Sequence, residues 1–291
     1  MPGQERILRR RIRSINSTKK ITRAMELIAA SRIVKAQARV QAAVPYADGL
    51  TAVFGNLAQS SGGVNHPLLH PREQIRRVAN VVLTADRGLC GAYNASVLRA
   101  AEGEIREHGA LGREYSLVTV GRKAESYFRF RDYRIDAAFT GFSDNPTYEN
   151  AREIAAAVAR RFVEGELDLV QLVYTRFVTA GSQEVVVRPL MPLDEETLDR
   201  SGAQSGGYEF EPSPVEILDR LLPRYVEARV YAALLNAAAS EHAARQRAMK
   251  AATDNAEDLI TSLSRVMNRA RQDAITTEIM EVVGGAEALR K

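Results

Sequence analysis

RYVEARVYAALLNAAASEHAARQRAMKAATDNAEDLITSLSRVMNRARQDAITTEIMEVV, residues 224–283, runs for sixty residues without a glycine or a proline. Apolar or small side chains keep near-helical spacing from Leu218, Leu222, Val226, Val230, Leu234 and Ala238 through Met249, Ala252, Ala256, Leu259 and Leu263 to Val266, Ala270, Ile275, Ile279 and Val283. Pro212 and Pro214 announce the start, and Pro223 follows within the first turns. A helix of this length, roughly 100 Å, does not fit inside a globule. A periodic pattern sustained well beyond about twenty-five residues argues for a coiled coil, because one exposed apolar stripe is unstable alone.

The other end of the chain supplies a partner. Gln4–Val44 also lacks glycine and proline and is built from good helix formers. Leu8, Ile12, Ile15, Thr22, Met25, Ala29, Ile33, Ala36, Val40 and Ala43 fall at steps of three, four and seven. The stripe continues through Leu50, Val53 and Leu57 until Gly62-Gly63 stops it, which predicts a first helix over 1–60 of roughly 80 Å. Pairing of the two helices in antiparallel sense is the economical arrangement; two helices docking separately onto partners is the alternative. The small side chains of Ala251–Ala256 permit close backbone approach.

Between the helices the periodicity changes. Val78–Thr84 is a short run rich in β-branched residues, followed by the breaker-rich Asp86–Gly91. A helix near Ala95–His108, a strand at Ser116–Val120, a candidate third strand at Tyr133–Phe139, a helix over Tyr148–Glu164, a strand at Leu169–Tyr174 and a closing strand at Glu184–Pro189 follow. Alternating strands and helices predict a mostly parallel sheet covered on both faces. The fold class is α/β: a long antiparallel coiled coil of the N- and C-terminal helices plus a central Rossmann-like domain. The expected division is 1–60 for the first helix, 75–192 for the α/β domain, 193–213 for a polar, glycine-rich connector and 214–291 for the last helix.

Composition narrows the function. The 291 residues are 45% hydrophobic and 26% charged, and no apolar run approaches the ~20 residues a bilayer span requires. The net charge of +4 is unevenly spread: residues 1–40 hold 11 Lys+Arg against Glu5 and Glu26, giving +9, residues 41–213 give 18 − 23 = −5, and residues 214–291 balance 11 against 11. A single cysteine, Cys90, excludes an internal disulfide and fits a reducing compartment. His66, His70, His108 and His242 form no metal-ligand spacing. The first strand-to-helix loop, where a phosphate would sit in such a domain, holds Gly88 and Gly91 but neither GxGxxG nor GxxxxGK[ST]. A tight turn explains those glycines. Cys90 has Arg87 near it and His108 as its nearest imidazole in sequence, without an evident base and orienting group. Asp86, Glu102 and Glu104 read as solvated surface carboxylates. No cofactor and no catalytic constellation is expected.

Three stretches carry a family resemblance. Lys20-Ile21-Thr22-Arg23-Ala24-Met25-Glu26 with Ala29-Ala30-Ser31, then Asp86-Arg87-Gly88-Leu89-Cys90-Gly91, and finally Met249–Asn255 with Ile275–Glu281 and Gly284-Gly285-Ala286 stand in one order. Together they resemble the γ-subunit family of rotary ATP synthases, over about residues 3–289. The resemblance implies a shaft that penetrates a ring of α and β subunits, with its α/β domain beside the ε subunit on the membrane-embedded c-ring. It implies β-subunit contacts at Met25, Arg87, Cys90, Arg271, Gln272 and Thr276. Contacts with the c-ring or ε fall at Tyr208, Phe210 and Glu211, and an apical bearing at Val282, Val283, Ala286 and Leu289. Ordinary exposed helix polarity, with Met25 as core packing, is the plain alternative. Membrane association is then indirect, through the c-ring, at the cytoplasmic face of a bacterial plasma membrane. Plant-plastid relatives carry an inserted cysteine pair, and with Cys90 alone this chain has no such switch.

Other readings of the basic N-terminus are a nucleic-acid arm and an organellar presequence. Residues 1–40 lack aromatics and keep a sustained apolar stripe, and the resemblance starts within the first few residues, so neither is preferred and no nucleic-acid partner is expected. A free-standing dinucleotide enzyme is the third reading, and a nucleotide-binding assay discriminates it.

Overall fold

The computed structural model describes residues 2–60, 68, 72, 74–193 and 213–288. In order these form α1 (Pro2–Ser60), β1 (Arg77–Leu83), α2 (Tyr93–Ala110), β2 (Glu114–Val120), α3 (Arg122–Phe130), β3 (Ala137–Phe139), α4 (Tyr148–Val163), β4 (Leu169–Phe177), β5 (Gln183–Met191) and α5 (Pro214–Ala288). Two units divide the chain, residues 30–245 and the two ends, 1–29 with 246–291.

In the larger unit the five strands lie in the order β3-β2-β1-β4-β5. β1 is central and parallel to both β2 and β4, with Asn80 opposite Leu117 on one side and Gln171 on the other. β3 is parallel to β2, and β5 closes the edge antiparallel to β4. β1 is buried at every position after Arg77, which is why its sequence is a continuous apolar run and not an alternation. One face of the sheet, with Ala79, Val81 and Leu83, packs Ile154, Val158 and Phe162 of α4 and Val226, Val230 and Leu234 of α5. The other, with Val82, Leu117 and Val173, packs Val97, Ala101 and Ile105 of α2 and Phe128 of α3. The Thr147 hydroxyl accepts from Asn150 N–H while the Asn150 side chain accepts from Thr147 N–H, a reciprocal cap that starts α4. From Ala237 to Ala243 every residue of α5 is buried, as expected for a helix with protein on all sides.

Two expectations need correction here. Of Tyr133–Phe139 only Ala137–Phe139 is a strand; Tyr133 instead stacks edge-on against Tyr115 and Phe128. Helix α3 has no counterpart among the expected elements, because only Ala124 and Phe128 of RKAESYFRF are buried and two such positions leave little periodic signal.

The second unit is a two-helix coiled coil. Thr22 Oγ1 meets Thr253 Oγ1 at 2.8 Å, and Lys19 Nζ meets Glu257 Oε1 at 3.1 Å, so stepping back along α1 is stepping forward along α5. The helices are antiparallel. Covered or half-covered positions recur on α1 at Leu8, Ile12, Ile15, Lys19, Thr22, Glu26 and Ala29, and on α5 at Met249, Thr253, Ala256, Ile260, Leu263, Met267, Ala270 and Ala274. Both series alternate steps of four and three, the 3.5-residue repeat of a left-handed coiled coil. The expected stripe is therefore partly displaced: Leu259, Val266, Ile275, Ile279 and Val283 are 47–56% exposed. The seam runs through the neighbouring positions Ile260, Met267 and Ala274, where the 3.5-residue repeat set by Thr253 and Ala256 falls. Extending the register puts Pro2 level with about residue 273, and α5 is exposed at every described side chain from Ile275 to Ala286. Its last turns thus have no partner within this unit.

Candidate functional site

Doubly wound sheets bind ligands beyond the C-terminal ends of their strands, where the chain order reverses. Here that crest lies after β1, between the turns toward β2 and β4. It is occupied by the protein's own groups. The Asp86 carboxylate sits where an anion would, with Oδ1 accepting from Arg122 N–H at 3.1 Å and Oδ2 from Gly141 and Ser143 N–H at 2.9 and 3.0 Å. Arg122 opens α3, so the carboxylate also caps a helix N-terminus. Burial alone would push the Asp86 carboxyl up; the three backbone donors outweigh it and hold the group below the ordinary carboxylate range. Asp86 is thus not a solvated surface carboxylate, its side chain being 8% exposed. Nor is Glu102, whose side chain is 7% exposed and held by Arg106 and Arg131 at 3.3 Å each.

Backbone geometry fits the strands tightly around Asp86. Gly121 follows β2 with φ +92°, and a Cβ there would lie 2.2 Å from the Thr84 carbonyl oxygen. Thr84 N–H bonds Val120 O at 2.8 Å, and its hydroxyl accepts from Ala124 N–H at 2.9 Å.

Helix α5 closes the crest from above. Arg245 donates to Gly88 O at 3.3 Å and to Glu241 Oε1 at 2.7 Å, a pair in which Glu241 is 1% exposed. Burial pushes the Glu241 carboxyl up, and the Arg245 guanidinium pulls it partly back. Tyr93 donates its hydroxyl to Ala237 O at 3.2 Å. Cys90 packs with Ala85 and Tyr93, and Asn94 donates to its sulfur at 3.1 Å. Burial pushes the Cys90 thiol up, Arg245 opposes that and Glu241 adds to it, so the group stays a protonated thiol at neutral pH. His108 is no base for it. That ring lies about 22 Å along α2 from Tyr93 and bonds Gln171 at 3.1 Å and Arg113 at 3.1 Å.

Among the residues implied by resemblance, Arg87 and the neighbouring Leu89 face solvent on this loop, whereas Cys90 is 1% exposed. Cys90 therefore presents no side-chain surface to a partner, and the exposed side chains of the loop are Arg87 and Leu89. Met25 is half-buried beside the coiled-coil seam; Arg271 and Gln272 are exposed level with the first turn of α1, and Thr276 is exposed just beyond it. Val282, Val283 and Ala286 are exposed on the unpartnered turns. Tyr208, Phe210, Glu211 and Leu289 lie outside the described residues.

A family profile described as ATP synthase matches residues 4–289. The ATP synthase gamma chain of Parafrankia sp. (strain EAN1pec) is 52% identical over 295 residues, covering 99% of this chain and 99% of the relative. The chain belongs to the ATP synthase gamma-chain family. A second member, from Frankia casuarinae, is also 52% identical, with 99% of each chain covered. In structure, a chain of the central stalk and c-ring of the Tetrahymena thermophila mitochondrial ATP synthase matches with a TM-score of 0.61 at 26% identity, over 80% of this chain and 99% of that one. A chain of the Euglena gracilis mitochondrial ATP synthase shares the fold with a TM-score of 0.65 at 18% identity, over 99% of this chain and 95% of that one. Gamma-chain membership accounts for an α/β body joined to a coiled coil.

Sequence reasoning did not find the Asp86 cradle, Gly121, or the Glu241–Arg245 pair with its neighbour His242. One signal was present: Ser240-Glu241-His242 and Arg245 interrupt an alanine-rich stretch of α5 with polar side chains four residues apart. Such an interruption in a buried helix marks a polar partner across the interface.

Proposed function

We propose that the chain is the torque-transmitting central shaft of a rotary, proton-translocating ATP synthase and has no catalytic site of its own. The observation carrying this reading is the unpartnered end of α5, exposed from Ile275 to Ala286 with Val282 at 68% and Val283 at 55%. An apolar single helix of this kind needs a sleeve from other chains, which a ring of α and β subunits would provide. Arg271, Gln272, Thr276, Met25 and Arg87 are then the groups that β subunits push against. Val282, Val283, Ala286 and Leu289 turn in the bearing.

Charge suits that contact, because Coulomb attraction falls off gradually with distance and does not interlock. Slippage between α1 and α5 would expose several seam residues together, so the shaft resists twisting. The self-occupied crest of the sheet supports the absence of a nucleotide site in this chain; nucleotide chemistry belongs to the ring. The α/β body, residues 75–192, would sit with ε on the c-ring, and Tyr208, Phe210 and Glu211 of the connector, 193–213, are assigned to that contact. Among the described residues no helix is long and apolar enough to cross a membrane. The chain would be held peripherally, through the c-ring, at the cytoplasmic face of a bacterial plasma membrane.

The test is reconstitution with α and β subunits and a rotation assay. Because Cys90 is buried, the probe belongs on Arg87→Cys in a Cys90→Ser background. ATP-dependent stepwise turning is expected; a folded chain that never enters the ring would overturn the reading.

A further inference from the structure

The coiled-coil unit concentrates its charge in one short band. Continuing Lys19 opposite Glu257 for ten residues sets Arg9 level with about residue 267, so residues 5–13 of α1 run beside about 263–271 of α5. The first stretch, ERILRRRIR, holds Arg6, Arg9, Arg10, Arg11 and Arg13 against Glu5 alone. The second, LSRVMNRAR, adds Arg265, Arg269 and Arg271 with no carboxylate, so the band carries 8 − 1 = +7. All eight arginines are exposed. Arg9 meets Glu5 at 2.7 Å; the other seven have no carboxylate at ion-pair distance among the described residues. Elsewhere the unit is nearly balanced or acidic: residues 14–29 with 246–262 give 5 − 4 = +1, and residues 272–288 hold four carboxylates and no cation. Nine residues of helix span only about 13 Å. With a Debye length of about 8 Å at physiological salt, the seven unpaired guanidinium groups repel one another.

The charges also run round the helix pair. With Ile12 at a and Ile15 at d of the α1 heptad, Arg6 and Arg13 fall at b, Arg9 at e, Arg10 at f and Arg11 at g. With Met267 at a and Ala270 at d of α5, Arg265 falls at f, Arg269 at c and Arg271 at e. The band is therefore a collar and not a stripe along one side. Positions e and g ordinarily hold opposite charges that join the two helices. Here Arg11 and Arg271 are alike in sign and unpaired, so the collar opposes the coiled coil while nothing surrounds it. Ile7, 68% exposed, lies inside the collar at c of α1. A large apolar side chain set among arginines suits a protein interface, where arginine is enriched and apolar area is buried. A linear polyanion would reach one side of the pair and leave the rest of the collar unmatched.

We propose that the partner of this collar is an acidic protein bore: the sleeve that encloses the shaft carries carboxylates spaced around its inner wall at the height of residues 5–13 and 263–271. The inference rests on the shaft reading and adds to it the chemistry of the enclosing wall. Carboxylates around the bore relieve the repulsion within the collar from every side. Their attraction also acts beyond contact distance, so it draws the helix pair into the ring before any apolar contact forms.

The test is the rate at which the full chain joins purified α and β subunits, read from a dye on Arg87→Cys in a Cys90→Ser background. For the native collar the rate should fall at least about tenfold between about 50 and about 500 mM salt. A variant with Arg6→Gln, Arg10→Gln, Arg13→Gln, Arg265→Gln and Arg269→Gln lowers the collar from +7 to +2 at exposed positions outside the seam. Glutamine keeps helix propensity close to that of arginine, and circular dichroism checks the fold. At low salt this variant should join at least about tenfold more slowly than the native chain, with most of the salt dependence gone. The salt series on the native chain stands without the variant, should the substitutions unfold it. A native rate indifferent to salt, or a folded variant that joins as fast as the native chain, would overturn the acidic bore and leave the shaft reading standing. A native chain that joins the ring at no salt concentration would instead overturn the shaft reading, and the bore with it. Duplex DNA is the competing probe: binding to the native chain at about 150 mM salt with Kd below about 10⁻⁶ M, tighter than ordinary non-specific attraction, would make the collar a nucleic-acid site and overturn the proposal.

Discussion

Asp86→Asn exchanges one oxygen for an amide nitrogen in a carboxylate that three backbone N–H groups share. The native Oδ1 serves Arg122, and Oδ2 serves Gly141 and Ser143, at 2.9 to 3.1 Å. Asparagine has a single oxygen, which can stay with Gly141 and Ser143 or turn to Arg122 but cannot do both. Hydrogen bonds to a charged acceptor contribute about 1.5–3 kcal/mol and neutral ones about 0.5–1.5, so the two retained bonds lose roughly 1 kcal/mol each. The abandoned N–H then faces an NH₂ group, at a cost of about 1–3 kcal/mol. The expected loss is about 3–5 kcal/mol. The Arg122 side chain is left out of this sum, since it is 67% exposed and 3.9 Å away. With no tryptophan in the chain, urea unfolding followed by far-ultraviolet circular dichroism is the suitable measurement. A cost below about 1 kcal/mol would refute the reasoning. pH supplies a second check. The folded carboxyl lies below its unfolded value, so its contribution is fully present above the unfolded value and lost as pH falls through the folded one. The stability gap between native chain and variant should therefore shrink in acid below the ordinary carboxylate range. A gap constant through that window would show that the charge is not what the cradle recognises.

Gly121→Ala places a methyl 2.2 Å from Thr84 O at φ +92°, so the α/β body should lose more than about 3 kcal/mol by thermal unfolding or fail to fold; a loss under about 1 kcal/mol would contradict the close approach. The Cys90 thiol, buried and pushed up, should react with a water-soluble disulfide reagent at least about tenfold more slowly in the native chain than in urea, and equal rates would contradict its burial. Arg271→Ala with Gln272→Ala should lower the torque and coupled synthesis of the reconstituted complex while changing the chain's own stability by no more than about 0.5 kcal/mol, because both side chains are exposed. Unchanged coupled synthesis would remove these two residues from the drive.

The long helices were legible because α1 and α5 carry a 3.5-residue periodicity over tens of residues, and the central strands because β1 and β4 are apolar on both faces. The less legible parts share a physical cause. Leu259, Val266, Ile275 and Ile279 read as seam because large apolar residues are normally inside; here they face outward, and Ile260, Met267 and Ala274 beside them take the half-covered positions. Helix α3 was missed because two buried side chains among nine residues leave almost no periodic signal. The Asp86 cradle joins residue 86 to residues 122, 141 and 143, so nothing local announces it. Cys90 could be singled out as chemically notable, but whether a thiol in a loop points inward is decided by Tyr93, Ala244 and Arg245, which lie on two different helices.

The large apolar side chains outside the seam bear on how such a coiled coil could work. Thr22, Ala29, Thr253 and Ala256 are the buried, small part of the seam, and Leu8, Ile12, Ile15, Ile260, Leu263 and Met267 are only half-covered, so the helix pair on its own is modestly stabilised. Meanwhile Ile7, Ile21, Leu27, Ile28, Leu259, Val266, Ile275 and Ile279 remain 47–68% exposed. Full burial of such a side chain is worth ~1.5–3 kcal/mol, so about half of that for eight of them is a reserve on the order of 10 kcal/mol. The chain alone cannot use it; only an enclosing surface can. Hydrophobic burial is non-directional, so this reserve would be nearly the same at every angle of the shaft within its sleeve and would not favour one orientation. Under the proposed role, the apolar outer stripe holds the shaft in place, and the direction of the push is left to the sparser charged groups such as Arg87 and Arg271.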